Sequence, residues 1–146
     1  MNKARIIIDA SVFAKWFLPD EKDREIALLI KEDYAKEYVA ISLPSVTFYE
    51  VNNIFRSAVM RSRIGKEEAF ERFSSFLKLD FIIYTMEDLQ QKILEKAIKL
   101  DLSSYDASYV ALAEYLDVYF YTADERLVKK AKNKLVLSLK NYPKEG

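Results

Sequence analysis

Four carboxylates stand where the chain passes from one kind of element to another. Asp9 directly follows the apolar run Ile6-Ile7-Ile8. Glu50 lies in the first or second turn of a segment that opens after Pro44. Asp106 opens another such segment, and Asp124 follows the run Val118–Thr122 by two residues. Asp is rarely buried without a partner, so an Asp that ends a buried strand needs one. The other three have plain alternatives. Asp124 can cap a helix, Thr47-x-x-Glu50 matches a capping box and Ser103-x-x-Asp106 nearly does. The helix macrodipole also favours acids in a first turn. Gathered at one place, carboxylates at about 5 Å repel by roughly 3 kcal/mol per pair at an effective dielectric of about 20. They are then tolerated only by protonating, by pairing with bases or by holding a cation. An all-oxygen set suits Mg²⁺ or Mn²⁺, and a carboxylate-held Mg²⁺ usually meets a phosphate. There the metal polarises the phosphoryl group and lowers the pKa of a bound water.

Composition leaves little else for chemistry. The 146 residues contain no His and no Cys. That removes His-based acid–base catalysis, Ser-His-Asp triads, thiolate nucleophiles, Cys or His metal sites and disulfides. The two glycines, Gly65 and Gly146, lie in no glycine-rich loop, so no dinucleotide fingerprint, P-loop or nucleophile elbow can form. Carboxylates, hydroxyls and Lys/Arg remain. An apolar fraction of 51% supplies a packed core. The length suits one domain over residues 1–146. No run approaches the length of a membrane span, and the apolar stretch Ile6–Ile8 stops at Asp9. A soluble cytoplasmic protein is the expectation. The zero net charge is unevenly spread: residues 125–146 hold seven bases and two acids, a net of +5 that leaves −5 for the rest. A basic tail behind an acidic body suits phosphate contact, although a solvated helix face has the same signature.

The elements that must position the acids are legible as alternating strands and helices. Arg5–Asp9, Val39–Leu43, Phe81–Tyr84, Val118–Thr122 and Leu135–Leu139 read as strands. Helices are predicted over Ser11–Leu18; Glu21–Glu37, capped by Asp20; Val46–Ile64, ended by Gly65; and Lys66–Leu79. Further helices are predicted over Glu87–Leu100, capped by Thr85; Tyr105–Leu116, capped by Ser103 or Ser104; and from Asp124 to Lys132. Strands joined by helical crossovers imply a parallel sheet with helices on both faces, a three-layer α/β/α fold with about five strands. Ligands of such sheets bind beyond the carboxyl ends of the strands, where the four acids fall.

Four segments carry a family resemblance: IIIDASVFAKWF (Ile6–Phe17), LPSVTFYEVNNIFR (Leu43–Arg56), LDLSSYDASYVALAEYL (Leu100–Leu116) and VYFYTADERL (Val118–Leu127). In this order and spacing the chain resembles PIN-domain ribonucleases, and among them VapC-type toxins of toxin–antitoxin pairs. The resemblance implies a Mg²⁺- or Mn²⁺-dependent RNA endonuclease acting by in-line attack of a metal-activated water on a phosphodiester. Asp9 and Asp106 fall on the principal metal ligands, with Glu50 and Asp124 completing the acidic pocket. Ser11 and Thr122 fall on supporting hydroxyls. The resemblance further implies a homodimer that binds a small VapB-like antitoxin in a groove near the active site. The helices over Glu21–Tyr38 and Val46–Ile64 are the candidate groove walls. Many relatives carry Gly where Asp101 and Asp117 stand, just after helices. Asp tolerates the left-handed conformation such a position often needs.

Asn53 lies one turn beyond Glu50 and can hydrogen-bond it or a ligand. Arg56, Arg61 and Arg63 trail the same helix as candidate RNA phosphate contacts. The Phe and Tyr residues at helical spacing read as core or dimer contacts rather than base-stacking platforms. An aspartyl-phosphate hydrolase is disfavoured because Ser11 stands where its second Asp belongs. A response-regulator receiver is disfavoured because Ile8-Asp9 lacks an acidic pair. Two other readings remain: a nuclease of RNA processing, and an interaction module whose acids are all caps. The absence of an appended region favours the toxin.

Overall fold

The computed structural model of the protein describes residues 3–143. Lys144 and Glu145 of the basic tail lie outside the described residues. In chain order the elements are β1 (Ala4–Ile8), α1 (Ala10–Phe17), α2 (Glu25–Ala35), β2 (Val39–Pro44), α3 (Val46–Met60), α4 (Lys66–Leu77), β3 (Ile82–Tyr84), α5 (Gln90–Leu100), α6 (Ser104–Leu116), β4 (Tyr119–Thr122), α7 (Glu125–Ala131) and β5 (Val136–Ser138). All neighbouring strands pair in parallel, in the order β3-β2-β1-β4-β5. The predicted three-layer arrangement is the one observed.

β1 shows why its strand reads as an unbroken apolar run. Side chains alternate across a strand, so Ile6 and Ile8 enter one core, with α1 to α4, while Ile7 enters the other, with α6. A strand covered on both faces needs apolar residues at both parities. The first core is rich in aromatic rings: Phe13, Trp16, Phe17, Phe55, Phe73, Phe76 and Phe81 meet with centroids 4.9–6.4 Å apart. These aromatics are core residues, as expected. The α4 stripe splits, however. Phe76 is buried and Phe73 partly so, while Phe70 is 68% exposed.

Five local expectations are corrected. α2 begins at Glu25, not Glu21, and Asp20 does not cap it. Its carboxylate pairs bidentately with Arg63 at 2.7 and 2.9 Å, which holds the preceding loop out of the helix. α3 ends at Met60, and the left-handed turn belongs to Ser62 (φ 59°). Gly65 is extended (φ −76°, ψ 159°) at the start of α4 rather than ending α3. The helix predicted from Glu87 opens as a short 3₁₀ turn, Glu87–Leu89, before α5, and Thr85 donates to the Glu87 side chain instead of capping. Thr47 and Glu50 form no capping box. Ser45 holds the N-cap position of α3, and Glu50 bonds elsewhere. In contrast, Asp101 (φ 56°) and Asp117 (φ 55°) do adopt the left-handed conformation, ending α5 and α6. Among the described residues no helix is long and apolar enough to cross a membrane.

Candidate active site

The carboxyl ends of β1 and β4 adjoin, because Ile8 pairs with Tyr121 in parallel register. The residues just beyond them, Asp9, Ser11, Thr122 and Asp124, therefore meet. Asp9 occupies the N-cap position of α1, yet its side chain makes no capping bond. It accepts instead from the Ser11 hydroxyl on Oδ1 at 2.5 Å and from the Thr122 hydroxyl on Oδ2 at 2.6 Å. Both hydroxyls also knit the β4 end together. The Ala123 amide donates to Ser11 Oγ at 3.1 Å, and the Asp124 amide donates to Thr122 Oγ1 at 3.0 Å. A carboxylate only 6% exposed, held by two hydroxyls on two elements, is not a helix cap.

The other acids join from the two sides. Glu50 rises from the second turn of α3, and its Oε1 accepts from the Tyr109 hydroxyl of α6 at 2.7 Å. Asp106 sits in the first turn of α6. Its backbone amide is capped by Ser103 Oγ at 3.0 Å, which leaves its carboxylate out of the capping role. Asp124 does act as a cap. Its Oδ1 accepts from the amides of Arg126 and Leu127 at 3.0 and 3.2 Å. Asp106 and Asp124 line one cleft of about 250 Å³ with Ser103, Arg126 and Lys130.

The acids raise one another's affinity for protons. Burial pushes Asp9 up to about 6 against its two hydroxyl bonds, and the charge of Asp106 adds to the rise. Burial pushes Glu50 up to about 7 against the Tyr109 bond, and Asp9 and Asp106 both add. Asp106 is raised by burial and then by Asp124, with the Ser103 hydroxyl and then Lys130 opposing. Among the described residues no three acids are spaced to enclose an ion as they stand. The donor set nevertheless has the chemistry of a hard-cation site. It consists of carboxylate oxygens without nitrogen or sulfur, and each Asp9 oxygen keeps a lone pair beyond its hydroxyl bond.

The PIN-domain profile matches residues 6–133, which include all four acids. The chain belongs to the PIN-domain family. Ribonuclease VapC9 of Mycobacterium tuberculosis is 32% identical over 105 residues, 70% of this chain and 81% of VapC9. Ribonuclease VapC3 of Pyrobaculum aerophilum is 26% identical over 129 residues, 86% of this chain and 94% of VapC3. Within the family the chain is of the VapC type. The crystal structure of PAE2754 from Pyrobaculum aerophilum shares the fold, with a TM-score of 0.64 over 95% of this chain and 93% of that one, at 24% identity.

Around this PIN-domain site the remaining predicted residues part company. Ser11 and Thr122 each donate a hydroxyl hydrogen bond to Asp9. Asn53 is exposed, and Glu50 is bonded by Tyr109. Arg63 is engaged by Asp20 and Glu21, both at 2.7 Å, so its guanidinium is committed to the loop before α2. Arg61 is exposed, and Arg56 is exposed on a cleft of about 380 Å³ between α3 and α4, beside Phe55, Met60, Phe70 and Phe73. That cleft differs from the predicted groove between the second and third helices. α1 packs against both α2 and α3, whereas α4 packs on α3 with the cleft between them. Two residues escaped the sequence reading. Tyr109 looked like core, and its position one turn after Asp106 was the only available signal. Lys130 looked like a surface lysine, yet its charge reaches Asp106.

Proposed function

We propose that this chain is a Mg²⁺- or Mn²⁺-dependent endoribonuclease that hydrolyses RNA phosphodiester bonds through Asp9, Glu50, Asp106 and Asp124. One nuclease domain over residues 1–146 acts as the toxin of a VapBC-type pair in the cytoplasm. The observation that carries the reading is the buried Asp9 carboxylate, tied by Ser11 and Thr122 at the joined ends of β1 and β4 and raised by its burial, with a smaller push from the charge of Asp106. The relatives VapC9 and VapC3 are named ribonucleases, which supports RNA as the substrate.

When bound, a divalent cation polarises the phosphoryl oxygen and makes water a better nucleophile. Asp9 and Asp106 would hold the cation, with Glu50 and Asp124 completing the acidic pocket. The two hydroxyls keep Asp9 from rotating. Glu50 has Oε1 occupied by Tyr109, so Oε2 is the oxygen that can take a proton from the attacking water. Arg56 and Arg61 hold phosphates of the incoming strand, while Arg63 fastens the loop before α2.

The partners follow from the same reading. A VapB-like antitoxin lays an apolar segment in the cleft between α3 and α4, where Met60 and Phe70 are each 68% exposed, and two copies of the chain form a homodimer. Purified protein should cut single-stranded RNA in Mg²⁺ or Mn²⁺ and stop in EDTA. Equal cleavage in EDTA would overturn the metal requirement. A strictly monomeric chain with no co-purifying small protein from its operon would overturn the partners.

A further inference from the structure

Tyr109 is buried, 1% exposed, and its ring stacks on Phe120 of β4 with centroids 5.2 Å apart and planes 14° off parallel. A tyrosine so placed usually spends its hydroxyl on whatever acceptor the core offers. Here the acceptor is the Glu50 carboxylate at 2.7 Å, and a second hydroxyl, Thr47 Oγ1, lies 2.7 Å from the same oxygen. A phenol has one proton. It goes to Glu50, so Thr47 donates to Tyr109.

The spacing gives this chain of bonds its meaning. Thr47 and Glu50 stand one turn apart on α3, and Asp106 and Tyr109 one turn apart on α6. One hydroxyl thus ties the helix that carries Glu50 to the helix that carries Asp106, while its ring rests on the strand that leads to Asp124. Glu has three rotatable bonds, and a ligand of a cation must be held in one orientation by its surroundings.

We infer that Tyr109 is a positioning residue whose hydroxyl pins the Glu50 carboxylate toward the other acids, with Thr47 fixing the hydroxyl in turn. The inference rests on the cation-binding reading of the acids, and its test separates the two. Free Mn²⁺ is followed by electron paramagnetic resonance during titration of the parent, Tyr109→Phe, Glu50→Gln and the double variant. Thermal midpoints in EDTA report folding. Tyr109→Phe keeps the ring and its stacking. It should fold and bind Mn²⁺ 10-fold or more weakly, within the range expected when a supporting partner of a ligand is lost. The double variant should bind no more weakly than Glu50→Gln, because the hydroxyl acts only through Glu50.

Parent-like Mn²⁺ affinity in Tyr109→Phe, whatever its midpoint, overturns the inference and leaves the site reading standing. Losses that multiply in the double variant overturn it too. A parent that binds no Mn²⁺ overturns the site reading and the inference together. Should Tyr109→Phe fail to fold, Thr47→Val decides. Mn²⁺ binding weakened several-fold supports the inference, and parent-like binding overturns it.

Discussion

Asp106→Asn tests the acidic cluster by its sign. Asp106 receives its cap from Ser103 through the backbone amide, and that bond survives the change to Asn. What is lost is a negative charge that is repelled by Asp9, Glu50 and Asp124 and favoured by the Ser103 hydroxyl and Lys130. A carboxylate pair at roughly 8 Å costs about 2 kcal/mol at an effective dielectric of about 20. Asp106 is only half-buried, so solvent screening and Lys130 reduce the net repulsion to about 1 kcal/mol. In a domain of this size 1 kcal/mol moves the thermal midpoint by about 3 °C. The variant should therefore melt at the parent's temperature or a few degrees higher in EDTA. With Mn²⁺ at about 100 times its Kd the parent should gain about 2.7 kcal/mol, or roughly 8 °C, and the variant should lose most of that gain. The assay is a set of four melts, parent and variant, each in EDTA and Mn²⁺. A variant that melts lower in EDTA yet keeps its Mn²⁺ shift would refute the reasoning and return Asp106 to the role of a first-turn acid.

Further predictions concern pH, the hydroxyls and the arginines. Asp9 and Glu50 sit near 6 and 7, above their ordinary values of 3.8 and 4.5, so the fold gains from their protonation below about pH 4 and loses that gain as pH rises through 6 to 7. Midpoints in EDTA should fall between pH 5 and pH 8, with about 1 kcal/mol of that fall from Asp9, and Asp9→Asn should flatten the curve. Mn²⁺ competes with those protons, so its affinity should rise over the same range, and a pH-independent Kd would count against it. Thr122→Val removes a donor to Asp9 and leaves the Asp124 amide unpaired; we expect a loss of about 1–3 kcal/mol in melts and 10- to 100-fold weaker Mn²⁺ binding by titration. Arg63→Ala should leave RNA affinity unchanged and cost at most about 1 kcal/mol, whereas Arg56→Ala and Arg61→Ala should weaken RNA binding and lower its salt dependence.

The parts of the site that the sequence disclosed are those written locally. Asp9 ends an unbroken run whose burial on both faces the composition already demands, and Ser11 and Thr122 stand two residues from Asp9 and Asp124. Asp101 and Asp117 followed helical patterns and took the left-handed conformation that helix ends use. The parts that stayed hidden depend on distant partners. Asp20 looks like a cap until Arg63, 43 positions away, claims it. Glu50 matches a capping box by spacing, but Tyr109, 59 positions away, takes its carboxylate. Tyr109 sits at a core spacing, and nothing in a helical pattern says that its hydroxyl meets an acid. Phe70 shares the α4 stripe with Phe76, yet only tertiary packing decides which of them is covered.

Cleavage of a defined single-stranded RNA in ¹⁸O-labelled water with Mn²⁺, read by mass spectrometry for the parent and for Asp9→Asn, tests the account most directly. The expected result is one ¹⁸O in the new terminal phosphate, no 2′,3′-cyclic phosphate, and cleavage lowered by orders of magnitude in Asp9→Asn and in EDTA. A cyclic phosphate product, or a cleavage rate that survives both Asp9→Asn and EDTA, would contradict it.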